Sequence, residues 1–361
     1  MKILAIESSC DETAAAVIED GVKILSTVVS SSEDLHREIG GIIPETAARQ
    51  QLHSILPVIE KVIAPFSISS PTAKKNPSKL IEEIQRNIDG IAVTIGPGLI
   101  GSLLVGVETA KTLAYSTGKS LIPVNHISAH LYANWLDRKK IPEFPAIGLV
   151  VSGGHTELFF LKNHREWKWL GGTRDDAAGE TFDKTARLLE LGYPGGPAIA
   201  AEAEKLTTLD SQLSIKLPRP MFDSKDFQFS FSGLKTAVIR KVQELQSTNQ
   251  WDEQIVIQLA HEIQESITDV LVKKTLDAVK KYAVKSILLG GGVAANRRLS
   301  EKFNLQISSR FNREKSKINL HVPPPSLCTD NAAYIGSFAY FCGKPASLSE
   351  VNAEPNLELE V

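Results

Sequence analysis

His126 and His130 stand four residues apart in NHISAHLYANW. In a helix that spacing puts both imidazoles on one face, where neutral ring nitrogens make good ligands for a divalent metal. The competing reading is a packed helix with two histidines at its rim. Residue 127 is isoleucine where an HExxH peptidase carries its general-base glutamate, which argues against zincin-type hydrolysis. Two protein ligands are too few for a firm site. The best distant third is Asp330 in LCTDNAAYIG, whose other natural duty is to cap the helix that follows. Two histidines and a carboxylate suit iron or zinc.

A second kind of chemistry is suggested by VVSGGHTEL, Val150 to Leu158. Apolar residues run into a Ser-Gly-Gly-His-Thr turn and out again, the pattern of a buried hairpin with a polar tip. Gly153 and Gly154 let backbone approach a ligand closely, and N–H groups beside the Ser152 and Thr156 hydroxyls form a concavity for phosphate oxygens. An ordinary hairpin turn has the same pattern. A similar turn opens the chain, where Glu7–Thr13 separates two strand-like runs and Ser9 slides onto Ser152 as Thr13 slides onto Thr156. The match suggests an internal duplication, two α/β halves each beginning with such a hairpin.

Other residues invite weaker readings. Leu288–Val293 with Asn296, Arg297 and Arg298 reads as strand, glycine turn and helix start, with Asn296 binding a ligand or only solvating the helix end. Asp175, Asp176, Glu180 and Asp183 lie in one short acidic run; for Asp175 and Asp176 a solvated helix start is the preferred reading. Phe227–Lys235 fits a cleft lining or an alternating strand with Phe on its core face. Gly96, Gly98 and Gly101 satisfy GxGxxG, yet Asn125 stands where a ribose-binding acid would follow. A tight turn that packs helix against sheet therefore accounts for these glycines better than a dinucleotide site.

These residues must be carried by regular elements. Strands are expected at Ile3–Ile6, Ala14–Val17, Ile24–Val29, Ile91–Ile95, Leu121–Val124 and Ser286–Leu289. A helix over Pro44–Ala64 should face the core with Ala48, Leu52, Ile55, Leu56, Ile59 and Ile63 and bend at Pro57. A second should run from Ser102 to Ser116, and a long one from the cap Asp252 to Tyr282, with the last helix starting near Asp330. Pro65 to Lys79 is rich in Ser, Pro and Lys and reads as a surface insertion.

At 361 residues, with 42% hydrophobic and 23% charged residues, the chain fits about two domains of a soluble globular protein. A net charge of −2 excludes a generally basic nucleic-acid binder, so RNA contacts would be confined to patches. Cys10, Cys328 and Cys342 lack CxxC spacing and are odd in number, which disfavours a disulfide framework. The N-terminal KILAI reads as a strand rather than a signal peptide, and no run is apolar enough for a membrane span. A cytoplasmic protein is expected.

Taken together, the motifs resemble the tRNA adenosine threonylcarbamoyltransferase family of the ASKHA superfamily of actin-like and sugar-kinase-like folds. Ten ordered blocks carry the resemblance across nearly the whole chain. They are ESSCDETA (7–14), GGIIPE (40–45), GPGLIGSLLVG (96–106), the His126/His130 pair, VVSGGHT (150–156), DDAAGETFDKTA (175–186), YPGGP (193–197), FSFSGLKT (229–236), GGGVAANRRL (290–299) and CTDNAAYIG (328–336). The resemblance implies a two-lobed α/β protein with duplicated halves. It would move a threonylcarbamoyl group from threonylcarbamoyl-adenylate to N6 of the adenosine next to the anticodon in tRNAs that read codons beginning with A, releasing AMP.

The resemblance also implies the site. Metal ligands would be His126, His130 and Asp330, holding one iron, with zinc the alternative. Substrate contacts would be Val150, Val151, Ser152, Gly153, Gly154, Asp183, Gly196 and Asn296. Glu12 is the candidate for a catalytic role near the phosphate or the attacking amine. Protein partners would resemble TsaB and TsaE, alongside tRNA and with no membrane. The expected lobes are 1–125 and 126–342, the last helix having the option of packing back on the first lobe, followed by an acidic, poorly ordered tail at 343–361. Ser128, where many relatives carry glutamate, leaves local hydrogen bonding around His126 open, and the 65–79 insertion is longer than usual. The rivals are a phosphotransferase of the same superfold, a metallopeptidase, and a tRNA-binding scaffold using Arg138–Lys140 and Arg310–Lys317.

Overall fold

The computed structural model describes residues 1–31, 43–66, 77–206, 215–311 and 317–358. It divides into two compact units, one of Met1–Ile141 with Thr329–Glu360, the other centred on Pro142–Cys328.

The first unit is built on strands β1 (Lys2–Glu7), β2 (Glu12–Glu19), β3 (Lys23–Ser31), β4 (Gly90–Gly96) and β5 (Ser120–Asn125), in the order β3-β2-β1-β4-β5. β1 is antiparallel to β2 and parallel to β4. Among the described residues, α1 (Pro44–Ile63), α2 (Pro77–Asn87), α3 (Ile100–Thr117) and the single turn α4 (His126–His130) interleave with them. The core joins Leu4, Ile6, Ala15 and Val17 to Ile55, Ile59, Val62, Val93 and Val107. A sheet with near-continuous apolar strands needs cover on both faces.

The second unit repeats the topology. Strands β6 (Ala146–Val151), β7 (Thr156–Leu161), β8 (Trp167–Gly172), β9 (Ser286–Gly290) and β10 (Asn319–His321) run β10-β9-β6-β7-β8, the first order read from the other edge. Again the opening strand pairs antiparallel with the second and parallel with the fourth. Its helices are α5 (Ala178–Leu188), α6 (Gly195–Ala203), α7 (Ser232–Ser247), α8 (Glu253–Tyr282) and α9 (Arg297–Arg310). Asp252 caps α8 as expected, accepting from the Ile255 N–H at 2.8 Å. The last helix, α10 (Ala332–Phe341), returns to the first unit, where it packs on β1, β2 and α4. The expected duplicated α/β halves are present, although the first hairpin, with Glu7 opposite Ala14, is wider than the second, with Val151 opposite Thr156.

Three expectations need correction. The division falls after Ile141 rather than at 125, because α4 and the residues after it are buried against the first unit's own elements. The acidic tail is held in place through Glu358: Ala346 pairs with Leu121, Val351 is buried, and the Glu354 N–H donates to Ile95 at 2.7 Å. Its apolar residues outweigh its acidity. Finally, α1 buries Ala47, Gln51, Ile55, Val58, Ile59 and Val62, while Leu52 and Leu56 are 64% and 51% exposed. Apolar residues on two adjoining stripes made the periodicity ambiguous. The 65–79 insertion lies largely outside the described residues, as does part of the 310–317 basic patch.

Candidate functional site

α4 begins where β5 ends, with the Asn125 side chain accepting from the Ser128 N–H at 3.1 Å. One turn brings the Nε2 atoms of His126 and His130 within 3.2 Å of each other. Asp330 precedes α10 and places Oδ1 at 3.6 Å from each of them. The cap of α10 is Asn331, which accepts from the Ala333 N–H at 3.0 Å, so the Asp330 carboxylate is aimed at the histidines rather than spent on capping. The capping duty that local sequence also allowed for Asp330 is thus taken by its neighbour. Both histidines are buried.

The donor set fits a divalent ion. Ligand atoms about 2.1 Å from one ion and roughly 90–110° apart lie roughly 3.0–3.4 Å from one another. The three ligand atoms all lie within 4.8 Å of one another, and each contact just given is close to that span. Tyr334 on α10 adds a hydroxyl that donates to Asp330 Oδ1 at 3.3 Å, and its ring packs on His130 with centroids 4.7 Å apart. Behind His126, Nδ1 lies 3.1 Å from Glu7 Oε2 and 3.3 Å from the Ser9 hydroxyl. Glu7 also accepts from the Ser9 N–H at 2.6 Å and the Thr94 hydroxyl at 2.5 Å.

The buried charges of this pocket shift one another. Burial would raise the Glu7 carboxyl, but His126 and hydrogen bonds from the imidazole, Ser9 and Thr94 hold it below the usual range. Burial would lower His126, yet Asp330 and Glu7 raise it to about 9. Asp330 is pushed up to about 6, first by burial and then by Glu7 and Asp11 against the pull of His126. Glu12, at the hairpin turn, is pushed up to about 10 by burial and by the charges of Asp330 and Asp11. Burial and the same carboxylates raise the Cys10 thiol far out of its reactive range.

In the second unit, the expected substrate turns cluster at one end of the sheet. Val150 and Val151 are fully buried, and the turn that follows, Ser152 to His155, is at least partly exposed. The carbonyls of Ser152 and Gly153 accept from the Gly179 and Glu180 N–H groups at the start of α5, each at 3.1 Å. Gly291, at φ +88°, passes so close that a Cβ would lie 2.3 Å from the Val151 carbonyl oxygen. Farther along α5, Asp183 accepts from the Gly195 N–H at 2.7 Å, and burial raises its carboxyl. At Gly153, Gly154, Gly196 and Gly292 an added Cβ would meet open space. These four glycines spare room that no neighbouring group fills. The C-terminal ends of parallel strands such as β6 and β9 are where α/β sheets hold ligands.

The match to a family model decides the relationship: residues 23–337 fit tRNA N6-adenosine threonylcarbamoyltransferase. The chain belongs to this family. A family relative from Dehalococcoides mccartyi is 47% identical over 346 residues, covering 94% of this chain and 93% of its own length. The Geobacillus kaustophilus relative is 45% identical over 361 residues, with 99% and 96% covered. Among solved structures, T. kodakarensis HypF shares the fold at a TM-score of 0.56 and 13% identity, covering 94% of this chain and 47% of that one. Component A of the Acidaminococcus fermentans (R)-2-hydroxyglutaryl-CoA dehydratase does so at 0.51 and 14%, covering 94% and 98%. The architecture is the ASKHA type.

Within this family member, some candidates have duties that sequence left open. Asn296 caps α9, accepting from the Leu299 N–H at 3.1 Å, while its amide donates to Gln264 at 3.1 Å. Arg298 is committed to Glu265 at 2.6 Å, and Arg297 pairs with Glu301 in solvent. Asp175 is exposed just before α5, as expected, and also binds the Phe231 and Ser232 N–H groups and both serine hydroxyls of the FSFS segment. Phe229, bridged to Thr173, and Phe231 are buried, so the alternation puts Phe on the core face up to Phe231, after which Ser232 opens a helix. The glycines of the GxGxxG loop pack against protein: Gly98 on Ser9, Gly96 on Glu354 and Gly101 on Ala48. Sequence reading passed over Glu7, Thr94 and Tyr334; an acid ending the apolar run KILAI was the available signal for Glu7. Among the described residues no helix is long and apolar enough to cross a membrane.

Proposed function

We propose that this chain transfers a threonylcarbamoyl group from threonylcarbamoyl-adenylate to N6 of the adenosine next to the anticodon, in tRNAs that read codons beginning with A. The amine nitrogen attacks the carbamoyl carbonyl of the mixed anhydride. A C–N bond forms, the C–O bond to the phosphate breaks, the amine gives up a proton, and AMP leaves. Because AMP is a good leaving group, a strong acid is unnecessary.

The convergence of His126, His130 and Asp330 in a member of this family carries the reading. When bound there, a divalent ion, iron with zinc the alternative, supplies Lewis-acid polarisation of the carbonyl. Ser152, Gly153, Gly154 and Gly196 offer main-chain groups to the nucleotide part, with Val150 and Val151 fixing that turn from below. Asp183 and Asn296 contribute hydrogen bonds, and Glu12 acts near the phosphate or the amine. The orientation of the amine contributes as much as any acid or base. TsaB-like and TsaE-like proteins assist, in the cytoplasm.

The test combines purified protein, threonylcarbamoyl-adenylate, the partner proteins and unmodified tRNA, and assays the modified nucleoside and AMP. Product with the wild type and none with His126→Ala supports the reading. No product with any partner combination overturns it.

A further inference from the structure

We propose that Glu7 is the positioning residue of the metal centre: its carboxylate accepts a hydrogen bond from the Nδ1–H of His126, which turns the Nε2 lone pair toward His130 and Asp330. The inference rests on reading those three residues as metal ligands.

Glu7 closes β1 and is fully buried at the end of the apolar run KILAI. A carboxylate is costly there unless each oxygen is occupied. One oxygen accepts from the Ser9 N–H at 2.6 Å; the other accepts from the Thr94 hydroxyl at 2.5 Å and faces His126 Nδ1 at 3.1 Å. An ionised carboxylate accepts only, so the imidazole nitrogen facing it carries the proton. In a neutral ring that leaves Nε2 unprotonated, and Nε2 is the atom 3.2 Å from His130 and 3.6 Å from Asp330. A carboxylate behind a ligating histidine fixes its tautomer, orients the ring and raises its basicity. The Ser9 contact further ties the turn after β1 to the same carboxylate. A residue that merely shaped that turn would need the Ser9 bond alone.

The test uses the full chain as wild type, Glu7→Gln, Glu7→Ala and His126→Ala. Each is titrated with Co²⁺ against a chromophoric chelator, with the visible Co²⁺ spectrum and the thermal unfolding of the metal-free protein recorded alongside. The wild type should bind one Co²⁺ and His126→Ala should not. Glu7→Gln keeps an acceptor oxygen but loses the charge; it should bind about 10–100-fold more weakly, with shifted visible bands. Glu7→Ala should bind more weakly still. If Glu7→Ala does not fold, the near-isosteric Gln variant carries the test. Unchanged affinity and spectrum in a folded Glu7→Gln overturn the positioning role while leaving the metal centre standing. A wild type that takes up no Co²⁺ overturns both.

Discussion

The side chain of Gln51, midway along α1, donates to the main-chain carbonyl of Cys10 at 3.0 Å. The same nitrogen lies 3.0 Å from the Glu12 carbonyl oxygen, so one buried amide holds the turn on which Glu12 stands. The Ser102 hydroxyl adds a donor to Cys10 at 2.9 Å. Buried carbonyls left without a donor are expensive. Gln51→Ala should therefore lower stability by about 1–3 kcal/mol, read as a shift in the urea midpoint. An unchanged midpoint would show that water or a neighbour replaces the amide at no cost.

Metal binding to the native state should stabilise it by mass action. Adding Fe²⁺ or Zn²⁺ anaerobically to chelator-treated protein should raise the melting temperature, and EDTA should reverse the gain. His130→Ala and Asp330→Asn should abolish the response, since each removes one of three converging ligand atoms. A response that persists in both variants would move the ion elsewhere.

Two classes of glycine separate folding from binding. Gly196→Ala and Gly153→Ala put a methyl group into open space and should leave the melting temperature within about a degree or two, Ala being the better helix former at Gly196. Each should weaken binding of an adenylate analogue in calorimetry. Gly291→Ala, at positive φ and against the Val151 carbonyl, should be destabilising. Full analogue affinity in Gly196→Ala would remove that residue from the substrate site.

Glu265 gives a pH signature. Burial opposes its ionisation, but hydrogen bonds and charge from Arg298 and Lys302 lower it to about 2. A carboxyl lowered on folding adds stability that is complete above the unfolded value, about 4.3, and is lost as pH falls through the folded value. The stability gap between wild type and Glu265→Gln should thus be flat from pH 7 to about 5 and narrow below about 4. A gap that stays constant to pH 3 in urea titrations would rule out this ionic contribution.

The His126/His130 pair was legible because one helical turn is a local geometry: spacing alone puts the rings on one face. The two halves were legible because each repeats an apolar, turn, apolar pattern, and the family resemblance named the fold and reaction class through ordered motifs. Asp330 stayed ambiguous because capping and ligation ask for the same residue type; only the neighbouring Asn331, taking over the cap, released its carboxylate. The core face of α1 was misread because Leu52 and Leu56 are apolar yet exposed, and the polar Gln51 is buried by what it binds. Glu7, Thr94 and Tyr334 come from three distant segments, and no periodicity reports which segments meet. Local sequence determined which groups share a helix face or a turn. Tertiary packing alone decided which carboxylate stands behind which imidazole, because a buried charge is tolerated only where the fold assembles its partners around it.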